Sequence, residues 1–404
     1  MTRRGGDRVL VLNHFASPRG APGGTRHLEL YGALEGWSCE IVAANRNYLT
    51  RRRQESYRAS PTTTYRTVWT WPYAGNGPAR VVNWASYAVT ATVVGLLTRR
   101  PTVVVGSSPH LLAPVAAWLV ARLRRVAFVL EVRDLWPELL VDMGQLSAGS
   151  RLYRALEALA AWVVARADAV IVLAPGVRDA LVERGADPDR VHLVPNGTDP
   201  LPPIDDRDRC RRELGVAPGD LVVVYAGAHG PANGLELALD AAAELAHDHP
   251  EVRFVFVGDG ATKAALVERA TREHLDNVRF HDARPKDQMP QVLGAADIGL
   301  HVLADVGLFT FGVSPNKVFD YMAAGLAVLT NNPGDIGALV TDNGAGVAVG
   351  PHDIADGVRA LAAAGPDGRA AMGARGRDLI ARDYAVAPRV EALERALRQA
   401  QGLR

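Results

Sequence analysis

Short runs rich in Val, Ile and Leu alternate with helical patterns along the whole chain, and this alternation limits the possible folds most strongly. Near-continuous apolar strands are typical of parallel sheets that are covered by helices on both faces. In the first half, we predict strands at 8–13, 39–44, 102–107, 127–132, 169–174 and 191–196, with helices at 24–35, 80–98, 110–124, 149–167 and 176–185. In the second half, we predict strands at 221–227, 252–258, 278–282, 297–302, 326–330 and 345–349, with helices at 234–247, 261–274, 287–295 and 315–324. The expected fold class is α/β, with two doubly wound, Rossmann-like domains.

The chain has 404 residues, which is too long for one ordinary hydrophobic core. A segment rich in Pro, Gly and Asp, 195–206, separates the halves. We therefore expect a first domain at 1–198, a second at 199–385, and a last helix within 386–404 that packs away from the second domain. Open α/β sheets bind ligands at the carboxyl ends of their strands, so we expect a central cleft between two such edges. A two-lobed enzyme and a two-lobed binding protein both fit this organisation.

Composition excludes several classes of function. The chain has 45 basic and 44 acidic residues, so nothing indicates nucleic acid as a partner. Its two cysteines, Cys39 and Cys210, lie far apart without metal-ligand spacing, which favours a reducing compartment over a disulfide framework. The first apolar run is too short for a signal peptide, and we expect a cytoplasmic protein, monomeric or homodimeric.

The segment 81–97 is uncharged and apolar enough to raise the question of a membrane. It is shorter than the roughly 20 residues that a membrane-spanning helix needs. We favour a helix buried in the domain. The alternative is peripheral attachment to the inner face of the cell membrane, helped by Arg80, Arg99 and Arg100.

The stretch SPNKVFDYMAAG, 314–325, places polar residues before a predicted helix. Ser314, Asn316 and Lys317 lie where unpaired backbone N–H groups and the helix dipole favour an anion, and Asp320 follows one turn later. The alternative is plain helix capping, with Ser314 as N-cap, Pro315 at the first helical position and Asp320 as a solvated charge.

Three other turns of the second half add glycines and polar residues after predicted strands. Four such turns suit a diphosphate and a nucleoside. None has the spacing of a phosphate-binding P-loop, so phosphoryl transfer from ATP is not indicated. The candidate residues in these three turns are Gly227, His229, Asn233, Gly258, Lys263 and Arg284.

In the first half, Gly20, Gly23 and Gly24 follow the first strand. Their spacing is not that of a dinucleotide-binding loop, so they indicate either close backbone approach of a substrate or a loop with unusual φ angles. The run EVRDLWPE, 131–138, gathers charges and an indole at the end of a strand.

That run supplies further candidates. Tryptophan stacks on sugar faces, and Arg133 and Asp134 are suited to holding or polarising hydroxyl groups. An Arg133–Asp134 ion pair that braces the turn is the alternative. His110 is either a ligand contact or a helix cap.

Four motifs in this order, EVRDLWPE, VPNGTD, VYAGAHGPANGL and SPNKVFDYMAAG, resemble the family-4 retaining glycosyltransferases of the GT-B fold. The resemblance covers nearly the whole chain and is greatest to bacterial enzymes that add sugars, often N-acetylated amino sugars, to surface glycans. It implies a UDP- or GDP-sugar donor on the second domain, with UDP expected here. It also implies an acceptor on the first domain and a last helix that returns to that domain.

The resemblance also implies individual roles. Asp320 would hold the ribose hydroxyls, while Ser314, Asn316 and Lys317 would contact the diphosphate. Arg284 would lie by the base, and Asn196 at the hinge. The implied catalytic residues are Arg133, Asp134 and Lys317, and the implied donor-binding residues are Gly23, Gly24, Gly227, His229, Asn233, Gly258, Lys263, Arg284, Ser314, Asn316, Lys317 and Asp320. The implied acceptor-binding residues are His110, Trp136 and Asn196.

Three positions depart from the family pattern. Where many members carry a glutamate that touches the transferred sugar, this chain has Gly312. Where many carry an arginine and a lysine for the diphosphate, it has Ala228 and Asn233, and we hypothesise that Lys263 and Lys317 supply the missing charge. The region of a common histidine near the reacting sugar is occupied by Arg133–Asp134.

The resemblance implies retention by front-face attack, in which the leaving diphosphate helps to deprotonate the acceptor hydroxyl. We expect no cofactor and no metal, because the sequence offers no convincing Asp-x-Asp motif, and the nucleotide sugar is a co-substrate. The acceptor is a hydroxyl of a glycan, a lipid-linked intermediate or a small molecule. The remaining alternatives are a nucleotide-sugar epimerase of the same two-lobed fold and a solute-binding protein.

Overall fold

The computed structural model describes residues 6–403 apart from 22–23, 74, 76, 109, 143, 145, 306–311 and 313. The chain divides into two compact units, one formed by 1–195 with 386–404 and the other by 196–385. The division falls inside the Pro- and Gly-rich segment that begins at Pro195.

In the described residues, the first unit is built on an eight-stranded sheet whose strand pairs are parallel except for β3–β4. Its strands are β1 (Asp7–Leu12), β2 (Trp37–Ala44), β3 (Tyr57–Arg58), β4 (Thr63–Val68), β5 (Val103–Ser107), β6 (Ala127–Val132), β7 (Ala169–Val172) and β8 (Val191–Leu193). Their order across the sheet is β3-β4-β2-β1-β5-β6-β7-β8. The order runs in opposite directions on either side of β1 and β5, as in doubly wound folds.

Helices cover both faces of this sheet. Six of them are α1 (Arg26–Gly32), α2 (Pro78–Leu97), α3 (Leu112–Arg124), α4 (Glu138–Asp142), α5 (Arg151–Arg166) and α6 (Pro175–Glu183). One face packs against α2, α3, α5 and α6 through residues such as Ala91, Val120, Val163 and Val177. The opposite face packs against α1 and a helix from the far end of the chain.

The second unit is a six-stranded, wholly parallel sheet in the order β11-β10-β9-β12-β13-β14. Its strands are β9 (Leu221–Ala226), β10 (Val252–Val257), β11 (Val278–His281), β12 (Ile298–His301), β13 (Ala327–Thr330) and β14 (Gly346–Ala348). Its helices are α7 (Arg207–Glu213), α8 (Leu235–Asp248), α9 (Lys263–Arg272), α10 (Met289–Gly294), α11 (Asn316–Ala323), α12 (Asp335–Asp342), α13 (Ile354–Ala363) and α14 (Gly365–Leu379). Every strand predicted in this half is present, and the predicted α/β class with two doubly wound sheets is confirmed.

The last helix, α15 (Val386–Gly402), belongs to the first unit. Leu393, Ala396 and Leu397 are fully buried beside Leu28 and Tyr31 of α1. The helix therefore completes the second face of a sheet whose strands all precede residue 194.

Several elements were absent from the prediction. The pair β3 and β4 was missed because 63–68 contains three threonines and one arginine, with only Tyr65 and Val68 as apolar residues. Helix α14 contains four glycines, which weaken helix propensity. Two of them permit close packing, since a Cβ on Gly373 would lie 1.8 Å from the carbonyl oxygen of Gly325.

The expectation that 81–97 forms a buried helix was wrong for one side of that helix. In α2, Asn83, Tyr87, Ala91 and Gly95 are buried, but the opposite side is exposed. Among the described residues, no helix is long and apolar enough to cross a membrane.

Candidate functional site

The carboxyl ends of β9 and β12 lie side by side in the second sheet, where the strand order changes direction. Helices start from these ends toward opposite sides of such a sheet, which leaves a crevice in which ligands bind. The residues that follow β9, together with α11, supply the candidate site. We call Gly227, His229, Gly258 and Lys317 the second-unit edge.

Glycines at this edge bring two backbone loops into direct contact. A Cβ on Gly258 would lie 1.8 Å from the carbonyl oxygen of Gly227, and one on Gly260 would lie 2.3 Å from that of His229. The backbone N–H of Gly227 donates to Val257 at 2.9 Å, which extends the β9–β10 ladder into the turn. These glycines are therefore required by packing, and they leave backbone rather than side chains at the strand ends.

Lys317 reaches from α11 onto the end of β9. Its Nζ donates to the hydroxyl of Tyr225 at 2.9 Å and to Oδ1 of Asn233 at 2.8 Å. It also lies 4.3 Å from the centre of the Tyr225 ring, and a Cβ on Gly227 would be 3.5 Å from Nζ. At Asn233, where the family resemblance implies a lysine, the side chain accepts a hydrogen bond from the lysine of another element.

Burial lowers the pKa of Lys317 to about 7. Desolvation penalises the ammonium form, and no carboxylate contributes to the shift. An anion placed against Nζ would favour the charged form and would be bound more tightly as Lys317 takes up a proton.

Two buried histidines flank this lysine. His229 is fully buried, and burial together with Lys263 and Lys317 lowers its pKa to about 4. Among the residues that the structure describes, neither ring nitrogen of His229 has a hydrogen-bond partner. His301 ends β12 and shares a hydrogen bond with Thr330 through Nδ1 at 2.9 Å. Its Nε2 has no partner within the described part of the chain. Its pKa lies well below the usual value because of burial and the nearby Lys317.

The stretch 314–325 is not a side-chain-capped helix. Helix α11 begins at Asn316, and Pro315 in the N-cap position offers no side-chain cap. Ser314 instead accepts from the backbone N–H of Asn196 at 3.0 Å, while Nδ2 of Asn196 donates to the carbonyl of Ser314 at 2.7 Å. Asn316 is exposed, and Asp320 lies half-buried one turn later. Asn196, predicted at the hinge, is thus tied to the predicted donor residue Ser314.

Lys263 contacts the second-unit edge from its Gly258 side, and Arg284 lies away from it. The Nζ of Lys263 donates to the carbonyls of Gly258 and His281 at 2.9 and 3.0 Å, and to Asp282 at 2.7 Å. This amine therefore closes the ends of β10 and β11. Arg284 is exposed and lines a separate cavity of about 190 Å³ with Arg209, Glu213 and Gln288.

The first unit has the same switch of strand order at β1 and β5, with different chemistry. His14 follows β1 and His110 follows β5, and their Nδ1 and Nε2 atoms share a hydrogen bond of 2.7 Å. Both rings are buried, His14 stacks on Tyr87 at 4.3 Å, and His110 stacks on Trp84 at 4.9 Å. We call His14, His110, Trp84 and Tyr87 the first-unit edge.

Both histidines of the first-unit edge are uncharged near neutral pH. Burial, with a contribution from Arg80, lowers the pKa of His14 to about 3. Burial and the neighbouring His14 hold the pKa of His110 well below its usual value. Nδ1 of His110 has no hydrogen-bond partner among the described residues. His110 does not cap a helix, since α3 begins after Leu111.

The charged residues Arg133 and Asp134 of the EVRDLWPE run lie in different surroundings. A Cβ on Gly24 would lie 3.9 Å from Nη2 of Arg133, so this guanidinium faces the glycine loop after β1. Asp134 is exposed and lines a cavity of about 580 Å³ under α5 and α6, together with Trp136. Among the ion pairs of the described residues, none joins Arg133 to Asp134 directly, although desolvation raises the pKa of Asp134 and the charge of Arg133 offsets part of this rise.

Trp136 is only 7% exposed and packs edge-on against Trp84 with ring centres 5.7 Å apart. This indole therefore packs beside the first-unit edge as a wall rather than as an exposed stacking platform. Gly23 lies outside the described residues, and Gly24 pairs with Ala16 in an isolated bridge. Within the described part of the chain, no three His, Cys, Asp or Glu residues are grouped as metal ligands.

Residues in or beside the two edges that escaped the sequence-based interpretation include Tyr225, His301 and His14. Tyr225 lies inside the apolar run of β9 and reads as core. His301 ends β12 and His14 follows β1, and a polar residue directly after an apolar strand was the signal for both. From sequence, we interpret a polar residue after a strand as a site residue only where glycine or a charged residue lies beside it, which leaves out His14 and His301.

Two protein-family models match the chain. Residues 22–197 match the model "Glycosyl transferase 4-like domain", and residues 206–378 match "Glycosyl transferases group 1". Among curated proteins, the D-inositol 3-phosphate glycosyltransferase of Nocardia farcinica is 32% identical over 212 residues, which cover 50% of this chain and 46% of that protein. The chain thus matches about half the length of this relative.

Solved structures resemble the chain over nearly its full length. Sucrose-phosphate synthase from Thermosynechococcus elongatus has a TM-score of 0.79 at 16% identity, covering 98% of this chain and 100% of that one. Anabaena HepE, solved in complex with UDP-glucose, has a TM-score of 0.70 at 16% identity, covering 97% and 99% of the two chains. At these identities the likeness establishes the fold.

Proposed function

Since the chain belongs to the family-4 glycosyltransferases with the GT-B fold, we propose that it transfers a sugar from a nucleoside-diphosphate sugar to a hydroxyl acceptor with retention of configuration. The observation that carries the proposal is Lys317, whose amine lies among Gly227, Tyr225 and Asn233 beside the uncapped start of α11.

Three features of the second-unit edge favour a diphosphate. Glycine backbone at Gly227 and Gly258 admits close approach, and the first N–H groups of α11 lack a side-chain cap. Lys317 adds a cation that gains charge when an anion arrives. Oxygen atoms of a leaving diphosphate would be stabilised by these donors as charge develops in the transition state.

Asp320 is the proposed ribose ligand. It lies one turn after Asn316 on α11, so that a nucleotide with its diphosphate at the helix start would bring its ribose toward this carboxylate. A carboxylate accepts two hydrogen bonds from a vicinal diol. Since HepE was solved with UDP-glucose, we favour a UDP-linked donor here, possessing a hexose or an N-acetylhexosamine.

The remaining predicted residues are assigned to the acceptor and the reacting sugar. Arg133, Asp134, His110 and Trp136 all follow β5 or β6 in the first unit, and we propose that Arg133 and Asp134 hold hydroxyl groups. The leaving diphosphate accepts the proton of the acceptor hydroxyl, so no protein base is required. We propose that the reaction needs no metal and no cofactor, since Lys317 and the backbone donors supply the positive charge.

The acceptor class remains a glycan, a lipid-linked intermediate or a small molecule. We also propose that the protein is cytoplasmic, that it contacts the inner face of the cell membrane, and that it is a monomer or a homodimer. An epimerase is not favoured, because both family models that match the chain describe glycosyltransferases.

Calorimetric titration of the whole protein with UDP, GDP, TDP, ADP and NAD tests this proposal. We expect one nucleoside diphosphate to bind, and UDP to bind most tightly. Lys317→Met should weaken its binding roughly 10- to 100-fold, the range of a lost hydrogen bond to a charged group, and Asp320→Asn about tenfold.

Lys286→Met and Asp287→Asn are the matched controls, since both residues are exposed and lie in the turn after Pro285, outside the second-unit edge. They should leave the dissociation constant unchanged. Lys263→Met tests the second part of the charge hypothesis and should weaken binding less than Lys317→Met, because its amine already has three acceptors. Equal binding by all variants, or binding of none of the nucleotides, would refute the proposal.

A further inference from the structure

The first unit contains a long segment of one charge sign. Residues 56–130 include eight arginines and neither aspartate nor glutamate, although the whole chain has 45 basic and 44 acidic residues. This segment contains α2 and α3, whose outer surface is therefore free of negative side chains. Such a surface attracts anionic partners.

The outer side of α2 is also apolar. Val81, Val89, Val93 and Leu97 repeat at intervals of four or eight residues and form one ridge along the helix, with Leu97 81% and Val89 64% exposed. Trp69 and Trp71, which precede the helix, are 54% and 49% exposed. We call these six residues the α2 face.

The exposure of the α2 face does not come from a loosely attached helix. On the buried side, the Tyr87 hydroxyl donates to the carbonyl of Val42 at 2.7 Å. A Cβ on Gly95 would lie 3.0 Å from the Val120 side chain, so α2 and α3 are in close contact. The helix is fixed to the sheet, and its outer side is therefore a rigid surface.

The two tryptophans are held in place through their backbone. Thr90 Oγ1 donates to the carbonyl of Trp69 at 3.0 Å, and the N–H of Trp71 donates to Oγ of Ser86 at 2.8 Å. The rings face outward, with centres 6.2 Å apart in an edge-on arrangement. Preorganised, exposed indoles are typical of the interface between water and lipid.

Arginines surround one end of this apolar ridge. Arg99 and Arg100 follow α2, while Arg122 and Arg125 lie at the end of α3, and all four are exposed. Arg124 donates to the carbonyl of Thr98, which joins the ends of the two helices. Exposed Leu119 and Leu123 on α3 continue the apolar surface between these arginines.

Scattered exposed apolar residues are normal, and arginines commonly stabilise the carboxyl ends of helices. Neither explains a fixed ridge of valines beside two ordered tryptophans in a segment without acidic residues. We propose that the α2 face docks on an anionic lipid bilayer, with α2 lying in the interfacial plane and Arg99, Arg100, Arg122 and Arg125 against the lipid headgroups.

This inference names the surface for the membrane contact included in the proposed function, and it rests on residues far in sequence from the donor site. A second copy of the chain is the other possible occupant of the α2 face. Pairing that face with itself would bring arginines of like charge together, which disfavours this alternative.

Co-sedimentation of the full chain with phospholipid vesicles tests the inference. We expect the protein to bind vesicles of equal parts phosphatidylglycerol and phosphatidylcholine, to leave them at high salt, and to bind phosphatidylcholine alone weakly. Trp69→Ser combined with Trp71→Ser should lower the partition coefficient about tenfold. Each of Arg99→Gln and Arg100→Gln should lower it about fivefold on the anionic vesicles.

Leu152→Ser is the matched control, because Leu152 on α5 is 59% exposed in the same unit but lies outside the α2 face. It should bind vesicles like the unaltered chain, and all variants should bind UDP equally, so that failure here is distinguishable from failure of the proposed donor site. Equal vesicle binding by the tryptophan variant and the control would overturn the inference. A dimer in lipid-free solution that the tryptophan variant converts to monomer would overturn it in favour of a second copy.

Discussion

The two sheets change strand direction at equivalent places and both bury histidines there, yet the groups around those histidines differ. At the first-unit edge, His14 and His110 lie buried and uncharged among Trp84 and Tyr87. At the second-unit edge, glycine backbone is left uncovered and Lys317 provides a cation.

The difference shows that doubly wound topology fixes the place of a site but not its chemistry. Rings and neutral histidines form a wall with hydrogen-bonding nitrogens, which suits hydroxyl groups. Glycines, helix N–H groups and an ammonium suit phosphate. The first-unit edge depends on dense aromatic packing, and the second-unit edge depends on direct contact between backbone loops. Both conditions can be tested.

The largest effect is expected where backbone contacts backbone at the second-unit edge. Gly258→Ala would place its Cβ 1.8 Å from the carbonyl oxygen of Gly227. The loops must separate, so we expect the free energy of unfolding to fall by about 3 kcal/mol or more and nucleotide binding to be lost. Urea denaturation and calorimetric titration measure the two effects.

Gly219→Ala is the control, because a Cβ at Gly219 would meet nothing within 4 Å. It should change the free energy of unfolding by less than about 1 kcal/mol. A stable Gly258→Ala variant that still binds nucleotide would show that this loop contact is not required.

A smaller effect is expected from acid at the first-unit edge. His14 has a pKa of about 3 in the folded chain, and that of His110 is also far below its ordinary value near 6.5. The unfolded chain therefore binds more protons between these values, so stability is complete above about pH 6.5 and is lost as pH falls below it. Each histidine contributes up to about 1.4 kcal/mol per pH unit.

Tryptophan fluorescence reports the unfolding of the first unit, because all seven tryptophans lie between residues 37 and 162. The double variant His14→Gln, His110→Gln should show a shallower decline in the free energy of unfolding from pH 6 to pH 5 than the unaltered chain. Parallel declines in both proteins would mean that the two rings accept protons without leaving their buried positions.

The smallest effect, and the most specific, concerns Lys317. Its pKa of about 7 means that the ammonium form disappears as pH rises through neutrality. If a diphosphate selects that form, the association constant for UDP should fall by up to about tenfold per pH unit above pH 7. Lys317→Arg should remove the pH dependence, since an arginine remains charged. A dependence that is unaltered in Lys317→Arg would assign the proton to another group.

Much of the fold could be predicted from local sequence. The Val-rich strands β9 and β10 carry their own signal, because a strand buried on both faces needs no alternation. The strand β4 lacks this signal, since Tyr65 and Val68 are its only apolar residues, and it is held in the sheet by pairing with β2 and β3. Helix α14 was hidden by glycines whose purpose is contact with Gly325 and Met322.

For the candidate site, the glycine turns and Lys317 could be located because such residues after strands are unusual. The sequence alone could not show which groups these side chains contact. Lys263 and Lys317 look equivalent in sequence, yet one holds strand ends together and the other faces Tyr225. The pairing of His14 with His110 joins residues 96 positions apart and appears only when β1 and β5 are neighbours.

Helix α15 has a consequence for synthesis on the ribosome. The first sheet leaves the ribosome early, but Leu393, Ala396 and Leu397 cover one of its faces only after the whole second unit has been made. Until then, apolar residues around α1 stay open to water or to chaperones, while the second unit, continuous in sequence, can complete its own core. The part of the chain that is translated first is therefore the part that matures last.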